Sequence, residues 1–148
     1  MEFYCKPFSE LTADELYDIL ALRCEVFVVE QNCVYQDVDG LDRECLHCFY
    51  YDGAVLAAYL RMIPPGAVYE APAIGRFVSA PSRRKTGLGR RLMRHAIPLL
   101  FKTWDAQQFE ISAQTYLLDF YRGEGFEPVG APYLEDGIEH IHMIYHRR

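Results

Sequence analysis

Apolar positions recur along this chain with a period that changes at clear breaks, and those changes predict its elements. Residues 3–8 read as a first strand. Thr12-x-x-Glu15 is a capping box, and Leu16, Ile19, Leu20, Val26 and Phe27 fall on one face of the helix it opens. Residues 30–46 are polar, acidic and rich in turn formers, which predicts a loop with room for a short helix. Asp52-Gly53, between apolar runs at 47–51 and 54–63, predicts a hairpin. Pro64-Pro65-Gly66 then breaks the chain. Ala73–Ser79 reads as a buried strand ended by Pro81, and a helix follows to about Lys102, with Pro98 expected to kink or shorten it. Residues 109–114 read as a strand, 117–124 as a helix ended by Gly125, and 126–129 as a short strand. Residues 133–145 read as a second hairpin turning at Asp136-Gly137, with Ile141, Met143 and Tyr145 alternating. This order predicts an α/β protein with a mixed sheet and helices on both faces.

Composition narrows the possibilities. At 148 residues and 51% hydrophobic content, one domain over 1–148 with a real core is expected. A net charge of −6 argues against general nucleic-acid binding. No apolar run is long enough to span a membrane, and Met1-Glu-Phe-Tyr-Cys-Lys-Pro lacks the design of a signal peptide. Five cysteines, an odd number in a chain large enough to need no staples, read as reduced thiols in a cytoplasmic protein.

The most informative stretch follows the buried strand. Gly87 and Gly89 open a helix, and Arg83, Arg84, Lys85, Arg90 and Arg91 surround the same turn. Helix-start amides lack partners and carry the positive end of the helix dipole, while glycines let an anion approach the backbone. The physical expectation is a pyrophosphate cradle. No Gly-x-x-x-x-Gly-Lys-Ser/Thr is present, and Leu92 stands where a dinucleotide fingerprint needs its third glycine.

What remains, Arg84-x-x-Gly87-x-Gly89 after a strand, resembles the acetyl-CoA signature of the GNAT superfamily of N-acetyltransferases. Gln114-Thr-Tyr-Leu-Leu-Asp-Phe-Tyr-Arg-Gly-Glu-Gly-Phe126 resembles that superfamily's late signature, matched at Phe120, Tyr121, Gly125 and Phe126. Arg23-Cys-Glu-Val-Phe-Val-Val-Glu-Gln-Asn-Cys33, Tyr35-Gln-Asp-Val-Asp-Gly40, Ile74-Gly-Arg-Phe-Val78, Ala113-Gln114 and Glu135-Asp-Gly-Ile-Glu-His140 are similar to the ElaA-like branch. The resemblance implies a sheet whose two central parallel strands splay apart, the gap admitting the pantetheine arm of acetyl-CoA. It further implies direct acetyl transfer, in a ternary complex, to a primary amine on a small molecule or peptide. Neither a metal nor a covalent enzyme intermediate is required, and a monomer or homodimer is expected.

The same resemblance assigns roles. The Phe77 amide faces the acyl oxygen, and backbone groups of Ser79 pair with pantetheine. Amides of Lys85, Gly87, Gly89 and Arg90 hold the pyrophosphate with help from the Arg84 side chain, and Val78, Thr86 and Leu88 belong to the same donor site. Tyr121 is the expected general acid for the leaving thiolate. Some relatives place a basic carboxylate where this chain has Ala73; Glu30, Asp37, Asp39, Glu135 and His140 are the alternative bases, and water alone serves if the amine arrives with a depressed pKa. Arg23, Phe27, Glu30, Glu135 and His140 are the candidate acceptor-binding residues.

Other features carry competing readings. Arg23 falls on the apolar face of its helix, where a guanidinium needs partners; either Asp37, Asp39 or Asp42 holds it in a structural pair, or it binds a substrate carboxylate. Cys45-Leu-His-Cys48 invites zinc, but a closed site wants four ligands, and His47, Phe49 and Tyr51 alternate as in a strand. The order of Arg23, Phe27, Asp39 and Arg61 resembles acyl-homoserine-lactone synthases, a second possible activity. A non-catalytic acyl-CoA-binding module is a third.

Overall fold

The computed structural model describes residues 1–148. Strands β1 (Phe3–Pro7), β2 (Leu46–Asp52), β3 (Val55–Ile63) and β4 (Ala73–Ser79) form one antiparallel ribbon. Strands β5 (Gln108–Gln114), β6 (Glu127–Glu135) and β7 (Ile138–His146) form a second, with β7 in the middle. The two ribbons meet where β4 and β5 run parallel, giving one seven-stranded sheet in the order β1-β2-β3-β4-β5-β7-β6.

Side-chain alternation across the sheet sorts the core into two layers. Phe49 and Tyr59, paired across β2 and β3, face helix α1 (Ala13–Arg23) and pack with Ile19, Leu22 and Val26. Their neighbours Cys48 and Leu60 face α2 (Leu88–Trp104) and pack with Leu92, Met93, Ala96 and Leu100. The expected capping box opens α1: the Glu15 N–H donates to Thr12 Oγ1 (3.0 Å) and the Thr12 N–H to Glu15 Oε1 (2.9 Å). Beyond Arg23 the helix continues through Cys24–Glu30 in wider π-helical turns. Leu16, Leu20 and Phe27 are only half-buried, while Leu22 joins the core.

Two expectations need correction. Pro98 does not shorten α2, which runs past it to Trp104. Burial of Leu92, Met93, Ala96, Leu100 and Phe101, at about 1.5–3 kcal/mol per large side chain, outweighs the roughly 3 kcal/mol of one internal proline. Residues 127–135 form one strand rather than two pieces, because a register irregularity between Val129 and Tyr133 absorbs Gly130-Ala131-Pro132. Pro128 and Pro132 are tolerated there because β6 is an edge strand. Helix α3 (Leu118–Gly123) follows β5 and brings Tyr121 into the α2-side core. No helix is long and apolar enough to cross a membrane.

Candidate active site

The site is the place where the sheet comes apart. β4 and β5 pair only at Ala73 and Glu110, where the Glu110 N–H donates to the Pro72 carbonyl (3.0 Å). Beyond that point the strands diverge. β4 also carries a bulge: Arg76 and Phe77 stand opposite the single residue Leu60, and Arg76 takes a left-handed φ of 52°. A bulged residue is left out of the ladder, so backbone groups here are free of their usual partners. The gap opens into a cavity of about 600 Å³ lined by Phe77, Val78, Ser79, Arg84 and Tyr121 at one end. Phe27, Glu30, Glu135 and His140 line it as well.

The turn after β4 delivers a helix start with exposed amides. Gly87 sits at the N-cap of α2 with φ 81° and no side chain caps the helix. Gly89 has a different reason to be glycine: an added Cβ would lie 3.0 Å from Ser79 Oγ and 3.2 Å from the Phe77 ring. The backbone of α2 therefore approaches β4 closely where a donor's phosphates would pass. The basic side chains are less available than their clustering implied. Arg83 Nε donates to Asp52 (2.7 Å), Arg90 Nε lies 3.3 Å from Glu124, and Arg84 forks onto Glu30. Only Lys85 and Arg91 of the five make no ion pair, and Arg91 lies over the Tyr50 ring.

Tyr121 is buried among aromatic rings, 5.3 Å from Phe126 and 6.3 Å from Phe77. Its hydroxyl makes no hydrogen bond within the protein, so no backbone carbonyl satisfies it, and it lines the cavity. Burial holds the phenol well above its ordinary pKa.

Arg23 does not reach the cavity. It is completely buried, with Nε donating to Asp37 Oδ2 (2.8 Å) and Nη1 to Asp42 Oδ1 (2.7 Å). Its expected role as an acceptor contact gives way to the ion-pair alternative, for which Asp37 and Asp42 were two of three candidates. The third, Asp39, is taken by Arg61 and Arg76. Three arginines and three aspartates thus form one continuous cluster behind the bulge. It also gathers Arg23, Asp39 and Arg61 from the synthase-like order. Burial alone would raise the Asp39 and Asp42 carboxyls, but the arginines outweigh it and hold both below the usual range. Arg61 Nε, unlike the cavity-facing Tyr121 hydroxyl, is sealed from any open space and has no partner. Arg61 and Arg76 entered the sequence reading only inside motifs, and neither was expected as an ion-pair partner because each sits within a run that reads simply as strand.

The Cys45-Leu-His-Cys48 residues serve separate purposes. Cys45 Sγ donates to the Leu41 carbonyl (3.2 Å). His47 Nε2 lies 2.8 Å from the Asp42 carbonyl, which can only accept, so Nδ1 accepts from the Tyr59 hydroxyl (2.7 Å). Cys48 points to the opposite face and lies directly across β1–β2 from Cys5.

His140 is held with similar definition. Its Nδ1 lies 2.7 Å from the Ile138 carbonyl, which can only accept, so Nδ1 donates there, and Nε2 faces Glu135 Oε2 at 3.5 Å. The Tyr133 ring stacks on it. Glu110, across from Ala73, is committed to His142 Nε2 at 2.6 Å and does not line the cavity.

A mixed sheet splayed between two parallel strands, with a glycine-opened helix beside the gap, defines an acyl-CoA acyltransferase fold. Residues 11–147 match the family described as acetyltransferase (GNAT) domain, and the chain belongs to that family. The structure of an acyl-CoA N-acyltransferase from Pseudomonas aeruginosa is similar at TM-score 0.91 and 41% identity, over 98% of this chain and 99% of that one. Protein ElaA of Escherichia coli is 39% identical over 91% of this chain and 90% of its own. Its crystal structure is similar at TM-score 0.90, over 97% of this chain and 98% of that one. An aminoglycoside 6′-N-acetyltransferase complexed with coenzyme A shares the fold alone, at TM-score 0.72 and 14% identity over 97% and 96% of the two chains. The chain is an acyltransferase of the ElaA-like kind.

Proposed function

We propose that this protein transfers the acetyl group of acetyl-CoA directly to a primary amine on a small molecule or peptide. The observation that carries this reading is the shared cavity: Phe77 and Ser79 on the splayed strand and the unpartnered Tyr121 hydroxyl line the same space. Bound acetyl-CoA supplies a thioester, an acyl carbon joined to a good leaving group. The Phe77 amide polarises the acyl oxygen, an interaction that supplies a few kcal/mol when aimed at a developing oxyanion. Ser79 aligns the pantetheine arm along the open edge of β4, in the manner of an added strand. Amides of Lys85, Gly87, Gly89 and Arg90 receive the pyrophosphate, Arg84 adds charge, and Val78, Thr86 and Leu88 complete the donor site. Tyr121 gives its proton to the departing sulfur, and this route calls for no metal.

For the base, the ion pairs leave few choices. Asp37 and Asp39 are bound by arginines, and Glu30 sits at the mouth on Arg84. We therefore assign His140 as the group that takes the amine proton at Nε2, with Glu135 stabilising the imidazolium. Phe27 forms the apolar wall beside them. His140→Gln is expected to lower kcat by about ten- to a hundredfold and leave donor affinity unchanged, read by steady-state rates and calorimetry side by side.

The donor reading is tested by calorimetric titration with acetyl-CoA, with dephospho-CoA as control. Saturable binding is expected in the wild type. In Gly89→Glu the carboxylate and its Cβ crowd Ser79 and Phe77 and repel phosphate, and binding should fall by about a hundredfold or more. Absence of binding to a folded wild type would remove the donor site from this reading.

A further inference from the structure

One cation of the donor site is already in use. Arg84 Nη1 and Nη2 donate to the two carboxylate oxygens of Glu30, at 2.9 and 2.6 Å. The pair ties the last residue of the π-helical extension of α1 to the turn before α2. Both residues line the cavity, so the contact lies across its mouth rather than on a remote surface. Both side chains are 42% exposed, which leaves the pair screened by water and readily exchanged. A guanidinium fork matches a pyrophosphate as well as it matches a carboxylate, and the pyrophosphate carries more charge.

Resting on the donor reading above, we propose that Glu30 is a latch on Arg84. The pyrophosphate takes the guanidinium, and the Glu30 carboxylate is released into the cavity mouth. Glu30 lowers donor affinity while it holds Arg84, and its negative charge is uncovered only after the donor is seated. A cationic acceptor then meets that charge with the donor already in place. Glu30 is a positioning residue in this scheme and takes no part in bond making.

The opposite arrangement is physically reasonable and predicts the opposite sign. If Glu30 merely braces Arg84 in its aim at the phosphates, removing the carboxylate weakens donor binding. The experiment is calorimetry of wild type, Glu30→Gln, Arg84→Gln and the double variant, each titrated with CoA and with pantetheine, which has no pyrophosphate. The latch predicts that Glu30→Gln binds CoA about two- to fivefold more tightly and pantetheine equally. It predicts that Arg84→Gln weakens CoA binding and cancels the gain in the double variant. Glu30→Asp, too short to reach the fork, should tighten CoA binding in the same direction and serves if Glu30→Gln folds poorly. Unchanged or weaker CoA binding in Glu30→Gln overturns the latch, as does equal tightening for both probes. A folded wild type that binds no CoA overturns the donor reading itself, and the latch with it.

Discussion

Replacing Tyr121 by phenylalanine is expected to lower kcat for acetyl transfer by about a hundredfold or more, with the acetyl-CoA dissociation constant changed less than about twofold. The substitution removes one oxygen that has no partner in the protein. The ring keeps its packing on Phe77 and Phe126, so the fold and donor site stay intact. The loss falls on the step in which the thiolate leaves. Because burial holds the phenol protonated well above its ordinary range, Tyr121 should impose no alkaline limb on the rate up to about pH 10. The measurement is thiol release from acetyl-CoA with an amine identified by screening, alongside calorimetry of both proteins. An unchanged rate would assign the proton to another donor. A module that only senses acyl-CoA would bind tightly and turn over nothing, with or without the hydroxyl.

Arg23→Ala is expected to remove about 3–5 kcal/mol of stability, because Asp37 and Asp42 lose the fully buried cation they share and keep only Arg76 and Arg61. Thermal unfolding should show a drop of roughly 10 °C, and Arg23→Lys should recover only part of it, since an ammonium cannot fork onto two carboxylates. The same cluster sets acid behaviour. Burial keeps the folded His47 neutral below its ordinary pKa, so only the unfolded chain takes up that proton as pH falls below about 6.5. Stability therefore declines from there. Asp39 and Asp42 add their loss later: their stabilisation is complete above about pH 4 and disappears as pH falls through their depressed folded values. Denaturant titrations between pH 7 and 3 read the first phase and the onset of the second.

Much of the fold was legible because it rests on local pattern. The capping box at Thr12, the strand at Ala73–Ser79, and the glycines at 87 and 89 each declare themselves within a few residues. Arg23 stood out because a charge interrupts an apolar face. A buried cation must have partners, which pointed to Asp37, Asp39 and Asp42 without choosing among them; the structure selects Asp37 and Asp42. What stayed hidden depends on distant partners. Glu30 and Arg84 are 54 residues apart, and no periodicity joins them. That His140 Nδ1 donates follows from one carbonyl at Ile138. That α2 runs on past Pro98 was hidden because propensity is local and the burial that overrides it is not. The positive φ of Arg76 also has no sequence signal, since the residue is not glycine.

The single backbone pair between Ala73 and Glu110 makes the sheet two sheets joined by a seam. Continuing that pairing would add hydrogen bonds and cohesion, and it would also close the cavity proposed above to take the donor. Selection for stability alone would close the gap, so cohesion between the halves comes from elsewhere. Helix α2 lies across both, touching Leu60 on one side and Phe109 on the other through the same core. Gln31 and Gln114 clasp amide to amide across the opening. On the proposed function, a donor seated in the seam becomes, for the length of a turnover, the missing strand of the protein that consumes it.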